Sequence, residues 1–170
     1  CQNIVPASSW MRCLDCLPDG THGAKCATCL VEEHSAEPFH RVERWNGRFW
    51  CKVTLNDLGL IVNLGHGRGE SCAVPSNVRE LQVIDINGIF ITKVRFCGCV
   101  QSSDHLTEPF IQLLRARWFP CTIAVPSTAV TFRCLDAICR LNNQGKLTGY
   151  DYYQSQVQAT DSAELDPPKV

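Results

Sequence analysis

Residues 13–40 read CLDCLPDGTHGAKCATCLVEEHSAEPFH and contain the run Cys13-x2-Cys16-x9-Cys26-x2-Cys29-x4-His34-x5-His40. Each Cys-x2-Cys knuckle sets two thiolates on one tight turn, and the histidines that follow can close a tetrahedral Zn2+ sphere. The stretch therefore predicts a zinc-stabilised small domain whose start is loop-rich. One zinc takes four ligands, so this run holds more than one site needs and fewer than two sites need. In a cross-brace, Cys13, Cys16, His34 and His40 would form one site. Cys26 and Cys29 would belong to the other, with Cys1 and a further ligand upstream. The alternatives are a single zinc that leaves Cys26 and Cys29 out, disulfides, or plain core packing. His22, in the loop between the knuckles, reads as a solvated histidine.

A second constellation lies further along, with His66-x5-Cys72 followed by Cys97-Gly98-Cys99. A glycine between two cysteines lets both sulfurs turn toward one centre. A Cys3His site from His66, Cys72, Cys97 and Cys99 is expected, giving two to three Zn2+ ions in all. The alternatives are two buried cysteines with an edge histidine, or His105 in place of His66. Cys51, Cys121, Cys134 and Cys139 are isolated and read as core residues.

Around these clusters the pattern is α+β. Residues 1–45 form a B-box-like cysteine/histidine region, with a short helical turn at Glu32–Glu33 ended by Pro38. Residues 46–126 read as a short antiparallel β region carrying the second zinc site. Within it, Leu81–Ile86 and Ile89–Phe96 flank Asn87-Gly88, a strong hairpin signal that predicts a type I′ turn. Glu108–Trp118 is helix-like. Residues 127–170 read as a helical segment, so that two to three helices follow the strands. Ser127 or Thr128 caps the first of this segment, Gly145 breaks it, and Thr148 or Gly149 starts the next.

The 170 residues are 45% hydrophobic and 19% charged, enough for a real core. The formal net charge of −1 is not the basic balance of a typical DNA-binding domain, though a local basic face is compatible with it. Twelve cysteines would suggest disulfides in a secreted protein. The knuckles and paired histidines favour metal and a reducing compartment instead, so an intracellular location is expected, and a nuclear one for a chain that meets DNA. No apolar run reaches the ~18 residues of a membrane span. Both ends look cut, so the chain reads as a piece of a longer protein. No phosphate loop, Gly-x-Ser-x-Gly or His-Glu-x2-His motif is present, and Asp85 and Asp136 read as surface or capping acids. No catalytic residue and no small-molecule substrate are expected. Arg41, Arg44, Arg48 and Lys52 surround Trp45 and Trp50, and Arg115 and Arg117 flank Trp118. Arginines beside aromatic rings suit phosphate contact and base stacking, although a solvated edge strand with core aromatics has the same composition.

Arg12-Cys13-Leu14-Asp15-Cys16, Cys26-Ala27-Thr28-Cys29 and His34 to His40 open a longer series of motifs. Arg44-Trp45-Asn46-Gly47, Asp57-Leu58-Gly59-Leu60, Leu64-Gly65-His66, Asn87-Gly88-Ile89 and Phe96-Cys97-Gly98-Cys99 follow. Gln112-Leu113-Leu114-Arg115-Ala116-Arg117-Trp118-Phe119-Pro120 and Gly145-Lys146-Leu147 complete it. The series resembles the Cys-x-Cys type cysteine-cluster domain, second subclass, found next to KDZ (Kyakuja-Dileera-Zisupton) transposases and abundant in basidiomycete fungi. The resemblance implies an N-terminal zinc-chelating module of a transposon protein, followed by an RNase H-like transposase domain whose catalytic carboxylates lie beyond Val170. It also makes Cys1 the remaining half of a first knuckle. The polar loop Leu17 to Lys25 departs from the shorter, more apolar segment usual in that family. Two functions are expected: recognition of DNA or a transposition target, or B-box-like protein interaction or self-association.

Overall fold

The computed structural model describes residues 9–16, 24–67, 70, 72–99 and 108–161. Cys1, His22 and His105 lie outside the described residues. The chain divides into two compact units, residues 1–62 and 63–170. That division differs from the segments 1–45, 46–126 and 127–170 expected above, because a sheet pairs strands on both sides of residue 45.

In the first unit, β1 (Met11–Cys13), β2 (Val42–Trp45) and β3 (Trp50–Val53) form an antiparallel sheet in that order. Helix α1 (Ala27–Glu33) lies between β1 and β2 in sequence. Seven residues are too few for a stable helix alone. Leu30 anchors it in a small core with Met11, Phe39 and Val42, all buried. The register Met11↔Arg44↔Cys51 and Arg12↔Glu43↔Lys52 sorts the side chains by face. Arg44 shares a face with Met11 and Cys51, whereas Arg12, Glu43, Lys52, Trp45 and Trp50 share the other.

The unit boundary falls within β4 (Ile61–Asn63). Strands β5 (Arg79–Asp85), β6 (Gly88–Arg95), β7 (Trp118–Pro120) and β8 (Thr128–Thr131) complete a sheet of order β4-β6-β5-β8-β7. Helix α2 (Pro109–Arg115) precedes β7, and α3 (Phe132–Gly145) and α4 (Gly149–Thr160) follow β8. One face of the sheet is buried through Leu81, Val83, Val94, Trp118 and Ala129. Helix α3 packs on β8 and β5, and α4 on β6. The architecture is α+β, with four helices and two sheets among the described residues.

Three local expectations are corrected. The β5–β6 hairpin forms, but its register pairs Asp85 with Gly88, so the loop is Ile86–Asn87 and neither residue has a positive φ. Gly88 takes the positive φ of +133° instead, and a Cβ there would lie 2.7 Å from Thr160 Oγ1. The turn is therefore not type I′; glycine is needed for close approach of α4. Second, Thr128–Thr131 is a strand, not a helix start. It pairs in parallel with β5 and antiparallel with β7, and Thr131 caps α3 by accepting from the Cys134 N–H. Third, Asp85 is fully buried. It accepts from Thr131 Oγ1 at 2.6 Å and from Arg133 Nε and Nη2 at 2.7 and 2.6 Å. A buried carboxylate persists only when so paired. Among the described residues no helix is long and apolar enough to cross a membrane.

Candidate metal centres

Cys13, Cys16, His34 and His40 offer ligand atoms that all lie within 4.8 Å of one another. The knuckle leaves β1, where the Asp15 and Cys16 amides each donate to Cys13 Sγ at 3.4 Å. His34 sits at the C-cap of α1 and is 3% exposed. His40 precedes β2. Cys16 Sγ lies 3.2 Å from His34 Nε2, and His40 Nδ1 lies 3.6 Å from both Cys13 Sγ and Cys16 Sγ. Ligands about 2.0–2.3 Å from a tetrahedral zinc are themselves ~3.3–3.8 Å apart, so the set fits such an ion. The rings are also held from behind. His34 Nδ1 lies 2.8 Å from the Leu30 carbonyl, which can only accept, so Nδ1 carries the proton and Nε2 is left for a metal. His40 Nε2 faces Glu37 Oε2 at 3.7 Å.

His66, Cys72, Cys97 and Cys99 form the second such group, again within 4.8 Å. Cys97 Sγ lies 3.0 Å from His66 Nε2, and Cys72 Sγ lies 3.6 Å from Cys99 Sγ. His66 Nδ1 faces Glu70 Oε2 at 3.8 Å, and Glu70 also accepts from the Gly67 N–H. A backbone hydrogen bond with Val74, and then the Cys97, His66 and Cys72 side chains, bring the Cys99 thiol down to about 6. Burial pushes Cys97 up to about 11. Burial and then Cys13 likewise raise Cys16 to about 11 in the first group. A metal must displace protons from such thiols. Both clusters can hold metal ions, and a complete set of four protein ligands leaves no open position for a substrate or a reactive water.

Cys26 and Cys29 stand apart from the first cluster. Cys26 is the N-cap of α1 and accepts from the Cys29 N–H. That amide, then the Cys29 thiol, lowers the Cys26 pKa, while Cys26 raises that of Cys29. They face one another, and Cys1, the partner expected for them, lies outside the described residues. No disulfide joins any described cysteine. Among the residues read as core, Cys134 is buried, but Cys121 and Cys139 are exposed.

The arginines separate. Arg41 lies 2.5 Å from Asp15 across a hydrogen-bonded ion pair. Burial opposes ionisation of Asp15, but Arg41 outweighs it and holds that carboxyl below its ordinary value. Arg44 is exposed on the Met11 face. Arg48 is exposed at the β2–β3 turn, where Asn46 Oδ1 accepts from the Arg48 and Phe49 amides at 2.9 Å. Trp45 and Trp50 lie 5.4 Å apart, with the Arg12 guanidinium 4.4 Å above Trp50. Arg115 ends α2, and Arg117 lies over Phe132 at 5.2 Å. Arg12 was not among the expected cations; it pairs with Glu43 at 2.6 Å across β1 and β2, a partner that no local pattern points to. Glu37 and Glu70 were also missed; an acid three or four residues from a ligand histidine was the available signal.

A family model described as CxC2 like cysteine cluster associated with KDZ transposases matches residues 55–164. This range is about two thirds of the chain; it contains the whole second cluster and begins after the first. No curated protein and no solved structure matches the chain.

Proposed function

Because this chain belongs to the family of CxC2 like cysteine clusters associated with KDZ transposases, we propose that it is a zinc-held accessory module of a transposase protein, without catalysis of its own, that recognises DNA. Zinc is the metal that suits mixed thiolate and imidazole donors in two closed four-ligand sets. Action on chromosomal DNA would put the module in the nucleus.

The observation that carries the DNA reading is the β2–β3 hairpin tip. Phe49 is 60% exposed there beside Arg48, on a turn held by Asn46. An exposed ring beside a guanidinium is suited to stacking on a base while contacting phosphate. Arg44, Arg48 and Lys52 make no ion pair among the described residues, so their charge is available, whereas Arg41 is engaged by Asp15. The test is fluorescence anisotropy with a DNA duplex and a single strand at two salt concentrations. Phosphate contact makes log affinity fall with log salt, and Arg48→Ala lowers that slope by about one, while Arg41→Ala changes it little. Absence of binding at ~50 mM salt, where the electrostatic contribution is strong, would contradict DNA recognition.

The protein-interaction reading draws on a different observation. In the second unit, Phe119 and Ile91 are exposed on the sheet face that also carries Val130 and Ile84. Concentration-dependent self-association insensitive to DNA would favour it.

A further inference from the structure

Gln112 is 1% exposed in α2, and both ends of its side-chain amide meet the backbone of one residue, Cys97. Its Oε1 accepts from the Cys97 N–H at 2.9 Å, and its Nε2 donates to the Cys97 carbonyl at 2.8 Å. The side-chain amide thus pairs with Cys97 as a neighbouring strand would. On its other flank Cys97 forms an isolated bridge with Pro75. The same Oε1 lies 2.7 Å from where a Cβ on Gly65 would be, and Gly65 immediately precedes His66. One buried amide therefore pairs with the backbone of one ligand of the second cluster and lies close against the glycine that precedes another.

We propose that Gln112 is a positioning residue for the second metal centre: it holds Cys97 and the Gly65–His66 turn in ligating geometry before metal arrives, and so sets that centre's affinity. This rests on reading the second cluster as a metal centre. The chemistry explains the residue type. An amide offers an acceptor and a donor side by side whatever the pH. A carboxyl group there could serve the Cys97 carbonyl only by taking up a proton, and an apolar chain would leave the buried Cys97 amide without a partner. Supports behind ligands typically alter metal affinity about 10–100-fold.

The experiment uses the full chain. Zinc affinity is measured by competition with a chromophoric chelator, and Co2+ spectra distinguish the three-thiolate second cluster from the two-thiolate first. Gln112→Leu and Gln112→Met are compared with Leu113→Ala, which empties a fully buried neighbouring position in the same helix. The expected result is zinc binding at least ~10-fold weaker at the second centre in both Gln112 variants, with an altered Co2+ ligand-field band. The first centre stays unchanged, and Leu113→Ala keeps the wild-type band. Wild-type affinity and spectrum in the Gln112 variants would overturn the proposal, as would an equal change of band in Leu113→Ala. A wild-type chain that binds no metal through Cys97 and Cys99 would instead overturn the underlying reading, and the proposal with it.

Discussion

At Gly65 the backbone has φ +88°, and a Cβ would meet Cys97 Cβ at 2.5 Å and Gln112 Oε1 at 2.7 Å. Gly65→Ala is expected to cost about 1–3 kcal/mol from backbone conformation alone, with the clash in addition. Thermal denaturation of the metal-loaded chain should show it, with metal lost from the second cluster before the first. Asp85 makes a different case. Arg133→Ala leaves a fully buried carboxylate without its cation, though Thr131 Oγ1 and the Asn87 N–H still donate to it, and is expected to destabilise by about 2–4 kcal/mol in a denaturant titration. The ligand residue types were legible because thiols and imidazoles at short, regular spacing have few other uses. The burial of Asp85 was not, since its partners are 46 and 48 positions away. Gln112 was legible only as part of a motif, because nothing local distinguishes a helix-surface glutamine from one that pairs with a distant peptide group.

Elements show the same division between local and distant causes. Thr148 was readable as a cap, and it makes a full capping box with Asp151. Thr148→Ala should cost about 1 kcal/mol of stability in the second unit, measured by chemical denaturation. Thr128–Thr131 was misread as a helix start because Ser127 and Thr128 look like caps. Its β-branched residues instead fill the gap between β5 and β7, a parallel pairing across 46 residues that no local pattern reveals. Helix α1 is too short to stand without its surroundings, and its C-cap is His34 of the first cluster. Metal removal should therefore abolish amide protection across α1 and up to His40. The β5–β6 hairpin, with Leu81, Val83 and Val94 in its core, should keep protection. Hydrogen exchange with and without chelator measures both. Equal loss of protection in the hairpin would mean that metal, not the apolar core, holds the second sheet.

For the whole molecule, two compact units each carry one set of four convergent donors. The family match encloses the second set and starts beyond the first. The two-cluster plan was legible in spacing alone, whereas the unit boundary within β4 depended on strand pairing. With a net charge of −1, any DNA affinity must come from local placement of cations such as Arg48 rather than from overall attraction. The central claim is that each unit is held by its own metal ion. Zinc stoichiometry by native mass spectrometry, for the wild-type chain, Cys16→Ser and Cys99→Ser, tests it most directly. The account predicts that each substitution removes one zinc ion and leaves the ion of the other unit in place. Zinc counts unchanged from wild type in either variant, or no zinc in the wild-type chain, would contradict it.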